Sequence, residues 1–184
     1  MSQRTAPRRM LETLFAAFLF VSLCLSAKAD VRTVNGDAKS PNGQFAVVVS
    51  KSVFIANAGG ERVATLFADA VGPAAGYGYS VSWSPNSNAA AVIEQYPRGA
   101  GLLVAIRNNG VWTSKIVNDQ AVSEQAYAKN GGGPPKPVEV KRVLGWVAPD
   151  KFRVSVVSTY REEKPLSFSY TVRIGGAEPV CALD

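Results

Sequence analysis

Histidine is absent from the 184 residues and cysteine occurs only twice. Without imidazole there is no His-based triad, no His-ligated metal and no histidine pH switch. Two cysteines cannot build a zinc ribbon or a disulfide framework. Charged residues make up 18% of the chain against 47% hydrophobic, too apolar a balance for intrinsic disorder. No Gly-x-Ser-x-Gly nucleophile elbow occurs. The length suits a single globular domain.

What is present begins with an export signature. Arg4, Arg8 and Arg9 precede an apolar run from Thr13 to Leu25, and Ala27-Lys28-Ala29 supplies small residues for cleavage. As a helix that run rises about 20 Å, short of the roughly 30 Å hydrocarbon core. Residues 1–29 therefore read as a signal peptide, cut before Asp30, with no stable membrane span afterwards. The expected location is periplasmic or secreted, and residues 30–184 form the mature domain. Cleavage removes four of the 20 Lys+Arg and one of the 14 Asp+Glu, lowering the net charge from +6 to +3. So small and dispersed a charge predicts no nucleic-acid partner. Cys181 becomes the only mature cysteine, expected as a half-buried free thiol near a frayed terminus.

Past Asp30 the chain alternates β-branched runs with Gly, Asn and Pro clusters. Strands are predicted over 45–50, 53–57, 63–67, 79–83, 89–95, 102–107, 111–117, 138–146, 152–159 and 166–174. Asn57-Ala58-Gly59-Gly60 and Asn108-Asn109-Gly110 provide tight hairpin turns. The segment Asp119 to Lys129 differs: it is Ala- and Gln-rich, and Asp119 is placed to cap a short helix. With the Gly/Pro-rich stretch that follows, it reads as a solvent-exposed insertion over 119–137. The three glycines there lack the Lys-Ser/Thr of a phosphate loop.

Three corners repeat. Ser40-Pro41-Asn42-Gly43 precedes FAVVVS, Ser84-Pro85-Asn86-Ser87 precedes AAAVIE, and Ala148-Pro149-Asp150-Lys151 precedes FRVSVVS. Trp83 and Trp146 stand just before the second and third. Spacings of 44 and 64 residues differ by about the length of the insertion. Alternation after each corner puts Phe45/Val47/Val49, Ala89/Ala91/Ile93 and Phe152/Val154/Val156 on one face each. This pattern resembles the WD-like β-propeller repeats of bacterial envelope proteins, in which a strand ending near Trp leads through Ser-Pro-Asp-Gly into a buried strand. The resemblance implies blade-like antiparallel units of about 40–45 residues. The mature chain holds about three, fewer than the 4–8 of a closed ring. The expected fold is all-β, either an incomplete propeller or a compact β-sandwich, with one short helical insertion. Open sheet edges make a homo-oligomer possible.

No constellation of catalytic residues stands out, and no cofactor or metal is implied. Asp37, Asp69, Glu94, Asp119 and Asp150 are scattered singly and read as solvated. Glu94 with Asp150 is the pair considered for a carboxylate-dependent hydrolase, the alternative to a binding module. Recognition is the leading expectation, because rigid tyrosine rings on Gly-rich loops give contact area at low entropy cost. Tyr77, Tyr79, Tyr96, Arg98 and Tyr127 are the candidate binding residues, facing a protein, peptide or glycan.

Overall fold

Serine and asparagine side chains build the first two corners in the same way, 44 residues apart. The Ser40 N–H donates to the Phe45 carbonyl and the Ser84 N–H to the Ala89 carbonyl, both at 2.8 Å. In return, the N–H of Phe45 donates to Ser40 Oγ at 3.0 Å, and that of Ala89 to Ser84 Oγ at 2.9 Å. Each serine hydroxyl then donates to the asparagine two residues on, Asn42 or Asn86. The fourth position is left-handed in both, with φ of 69° at Gly43 and 59° at Ser87. Glycine adopts that conformation freely, whereas Ser87 is held there while its Oγ accepts the Asn42 N–H at 3.1 Å. The two corners are thereby tied to each other.

The computed structural model describes residues 34–36, 38–70, 77–131, 138–159 and 165–184. The expected signal peptide, Asp37, the Gly/Pro-rich stretch over 132–137, and residues 71–76 and 160–164 lie outside the described residues. The strands are β1 (Asn35–Gly36), β2 (Phe45–Val49), β3 (Val53–Asn57), β4 (Arg62–Phe67), β5 (Gly78–Trp83) and β6 (Ala89–Tyr96). They continue with β7 (Gly99–Asn108), β8 (Val111–Ile116), β9 (Val138–Ala148), β10 (Lys151–Thr159), β11 (Leu166–Arg173) and β12 (Val180–Leu183). One helix, α1 (Gln120–Lys129), follows β8. The all-β expectation holds, and all ten predicted strands form. Two short strands, β1 and β12, were not predicted. β12 pairs with β11 over Val180–Leu183, so Cys181 sits in a paired strand rather than a frayed end.

Three sheets result. The first is β2-β3-β4, the middle β1-β5-β6-β7-β8, and the third β12-β11-β10-β9. Neighbouring strands are antiparallel except β1, which pairs parallel with β5 at Ser80 and Val81. The middle sheet is covered on both faces along β6 and most of β7. Val81, Trp83, Ala90, Val92 and Leu103 pack with Phe45, Val47 and Ile55 of the first sheet. Ala91, Ile93, Leu102 and Val104 pack with Phe152, Val154, Tyr170 and Val172 of the third. β6 is accordingly buried at five consecutive positions, Ala89 to Ile93, as a strand enclosed on both sides must be. Its three alanines let both neighbours approach, and burying each Val or Ile nearby contributes about 1.5–3 kcal/mol. Two indoles bridge the layers: the Trp83 N–H reaches the Ala38 carbonyl at 3.2 Å, and the Trp146 N–H the Ser82 carbonyl at 3.3 Å. Each acceptor lies two residues before a corner serine.

The third corner departs from the others. Pro149-Asp150 is a two-residue loop closing on the Ala148–Lys151 pair, and Ala148 has no hydroxyl for the serine bonds. Being one residue shorter, it shifts the phase of the next strand, which turns every side chain to the opposite face. Phe45 and Ala89, five residues after their corner serines, face the following sheet; Phe152, four after Ala148, faces back onto the middle sheet. Arg153 takes the outward position instead, paired with Asp184 at 2.8 Å. Each of the three predicted triples does share one face.

α1 also corrects the sequence reading. Val122, Ser123 and Ala126 are buried against the strands, so the helix is packed rather than a solvent-exposed insertion. Asp119 precedes the first turn without capping it, because its carboxylate is engaged elsewhere. Among the described residues no helix is long and apolar enough to cross a membrane.

The fully buried Ser84 hydroxyl is the pivot of the corner between β5 and β6. Ser84→Ala is expected to lower unfolding free energy by about 1–3 kcal/mol, since it strands the Ala89 N–H without an acceptor. A urea midpoint equal to the parent's contradicts that role.

Candidate functional site

A cleft of about 510 Å³ opens between β5 and β9. Among the described residues its walls are Tyr77 to Ser82 on one side and Val140 to Val143 on the other, with Ile93 and Gln95 from β6. The elements explain its polarity. β9 is the last strand of its sheet, so it brings backbone groups to the opening, whereas β5 is paired on both sides at Ser80 and Val81 and contributes mainly side chains.

Tyr77 and Tyr96 pair at one end of this cleft, their ring centroids 6.3 Å apart and tilted by 39°. The Tyr96 ring lies over Gly99, where a β-carbon would come within 2.9 Å of it. Glycine at 99 is therefore what lets the ring lie down. Gln95 fixes the neighbouring backbone: its Nε2 donates to Gly99 O at 2.6 Å, to Glu139 O at 3.0 Å and to Tyr96 O at 3.3 Å. The Glu139 contact joins the middle sheet to β9. Those three acceptors orient the amide, and its Oε1 is left buried without a partner.

Behind the β9 wall lies a buried ion pair. Lys141 Nζ sits 2.7 and 3.0 Å from the two oxygens of Asp119 and 3.7 Å from Glu139. The Tyr170 hydroxyl also donates to Asp119. The Tyr127 hydroxyl donates to Glu139 at 2.7 Å and accepts from Ser158 Oγ at 2.9 Å. Burial raises the Tyr127 phenol to about 12, with Glu139 adding to the effect against the Ser158 hydrogen bond. Burial pushes Tyr170 further up, reinforced by Asp119. The Cys181 thiol rises to about 11 through burial and the Asp119 charge. Every charged group here has a partner, so the cluster fixes α1 to the third sheet and carries no vacancy for chemistry.

The predicted residues separate into three groups. Tyr77 and Tyr96 come together, and Arg98 is exposed on the adjoining β6–β7 turn. Tyr79 belongs to β5 and is buried, with its hydroxyl donating to Glu94 at 2.9 Å. Tyr127 lies in the ion-pair cluster with its ring against Phe168. Asp119, expected in solvent, is instead part of that cluster. Glu94 and Asp150 do not meet: Asp150 lines a separate cleft beside Ala89, at the other end of β6. Five residues of strand put about 17 Å between those ends. Among the described residues no group of acidic or cysteine side chains is arranged to hold a metal. Sequence reading missed Gln95, Glu139 and Lys141.

Two outcomes follow from the cluster. Lys141→Ala or Asp119→Ala should each cost about 3–5 kcal/mol by leaving a buried charge alone, while Lys141→Met with Asp119→Leu should cost less than either. Equal losses for the singles and the double in chemical denaturation contradict a true pair. The second concerns alkaline pH. Tyr127 and Cys181 hold their protons more tightly folded than unfolded, so the stability they add is complete below about pH 9 and is lost as pH rises through 11 to 12. Tyrosinate absorbance at pH 11 should fall short of the unfolded chain's by nearly two residues, Tyr127 and Tyr170; equal absorbance contradicts the burial. Among known protein families, curated proteins and solved structures, none matches this chain.

Proposed function

We propose that the chain is an exported, non-catalytic binding module, periplasmic or secreted, whose recognition site is the cleft between β5 and β9. One observation carries the reading: a cleft of about 510 Å³ opens beside the Tyr77–Tyr96 ring pair, with the Gln95 side chain among its lining groups. Paired aromatic rings beside a polar group are a recurrent means of gripping a partner. Arg98 adds a cation at the rim.

The architecture is read here as three propeller-type repeats that do not form a ring. Support comes from the matched hydrogen bonds at the corners at 40 and 84 and from the two indoles that each reach back to the preceding sheet.

The test uses the mature chain immobilised against a displayed random-peptide library and a glycan array. The parent should retain a ligand class from one of them, and Tyr77→Ala with Tyr96→Ala should weaken retention at least tenfold while the circular dichroism stays unchanged. Undiminished retention by the double variant places recognition elsewhere. Failure of the parent to retain anything removes the proposal.

A further inference from the structure

β9 is inside out over its first half. Its burial alternates strictly from Val138 to Leu144: Glu139 and Lys141, with Val143, face the interior, while Val138, Val140 and Leu144, interrupted by Arg142, face solvent. Val138, Val140 and Leu144 are 36%, 51% and 53% exposed, and Val157 of β10 lies beside them at 39%. The centre of the third sheet's outer face is polar, with Arg153 bonded to Ser169 and Asp184, and Asp184 to Thr171, while exposed Val180 stands apart at the far edge on β12. The apolar stripe is confined to the sheet's edge.

That edge is also open. β9 pairs with β10 on one side and, among the described residues, with no strand on the other. In an extended strand the N–H and C=O of one residue point to the same side, and the side alternates. The Glu139 carbonyl receives Gln95 from the middle sheet, whereas the Val138 and Arg142 carbonyls accept hydroxyls from Thr159 and Ser155 of β10. The backbone groups of Lys141 and Val143 therefore point away from β10, towards the cleft that these residues line.

We infer that the cleft takes an extended peptide segment of another protein, added as a strand to the free edge of β9. This rests on the cleft being the recognition site and names what enters it. An added strand would pair with Lys141 and Val143 through its main chain. One row of its side chains would continue the Val138, Val140 and Leu144 stripe, and the other row would enter the cleft towards Ile93 and the Tyr77–Tyr96 pair. Two features favour a single strand over a second copy of the chain. The stripe offers roughly 300 Å² of apolar surface, less than half of the about 800 Å² that each partner contributes to a stable dimer. Arg142 stands in the outward row between Val140 and Leu144 with no ion-pair partner among the described residues, so it calls for a carboxylate opposite rather than another copy of itself. The preferred segment carries apolar, acidic and apolar residues at alternate positions.

The probe is the palindromic peptide acetyl-Thr-Val-Thr-Asp-Thr-Val-Thr-amide, which presents the same outward row in either direction. It should bind the mature chain saturably, and replacing its Asp by Lys should weaken binding at least tenfold. Methylating alternate backbone amides should cost tenfold or more for one set and less than twofold for the intervening set. Val140→Lys, on an exposed side chain, should weaken binding tenfold with the fold unchanged. Absence of binding at millimolar peptide, or equal sensitivity of the two amide sets, overturns strand addition. If that happens while Tyr77→Ala with Tyr96→Ala still abolishes retention of a library ligand, the cleft reading survives alone. If the amides alternate but the tyrosine variant binds the peptide as the parent does, edge pairing stands and the cleft reading falls.

Discussion

Burial of β6 and β7, the centre of the middle sheet, on both faces is the constraint from which the other features follow. A sheet enclosed on both sides has no solvent face to spend on polar residues, so β6 reads as a continuous apolar run with three alanines at its start. Small side chains there bring the first and third sheets close enough for Trp83 and Trp146 to reach carbonyls in the layer before their own. The same closeness sets the distance between β5 and β9, and hence the width of the cleft. Both walls inherit their positions from one strand that neither of them contains.

The third sheet shows how a one-residue change alters what a repeated unit can do. With Pro149-Asp150 closing the corner a residue early, the apolar row of β10 turns inward and Arg153 turns outward. In β9 the inward positions are occupied by Glu139 and Lys141, which survive burial only because Asp119, Tyr127 and Tyr170 supply partners. α1 is what delivers Tyr127, and the residue before it delivers Asp119. The helix thus compensates the charges of a strand whose outer face is left apolar. That arrangement costs solubility at an edge strand, a cost that natural proteins normally avoid.

Much of this fold was legible in the chain, for physical reasons that differ between elements. Period-two patterning and Gly/Asn turns located ten strands, because those signals are local. β12 escaped because Val180-Cys181-Ala182-Leu183 is too short to show a period, and β1 because two residues carry none. The Ser-Pro-Asn corners were readable, since their hydrogen bonds span only five residues. Of the candidate site, the Tyr77–Tyr96 pair was reachable from composition and loop position alone. Tyr79 shows the limit: alternation placed it in a strand but did not say which face was the interior. Glu139 and Lys141 were hidden more deeply, because solvent is the default for a charge and their partners lie 22 or fewer residues away across a helix and a linker. Gln95 carried no signal, since its role depends on three carbonyls assembled from two sheets.

The measurement that bears most directly on the shared middle sheet is native-state amide exchange of the mature domain across a denaturant series. If one doubly buried strand holds both neighbours, the slowest amides of β6, β7, β10 and β11 should merge into a single global unfolding isotherm. A third sheet that exchanges through its own lower-energy opening, while β6 stays protected, would contradict a cleft with fixed walls.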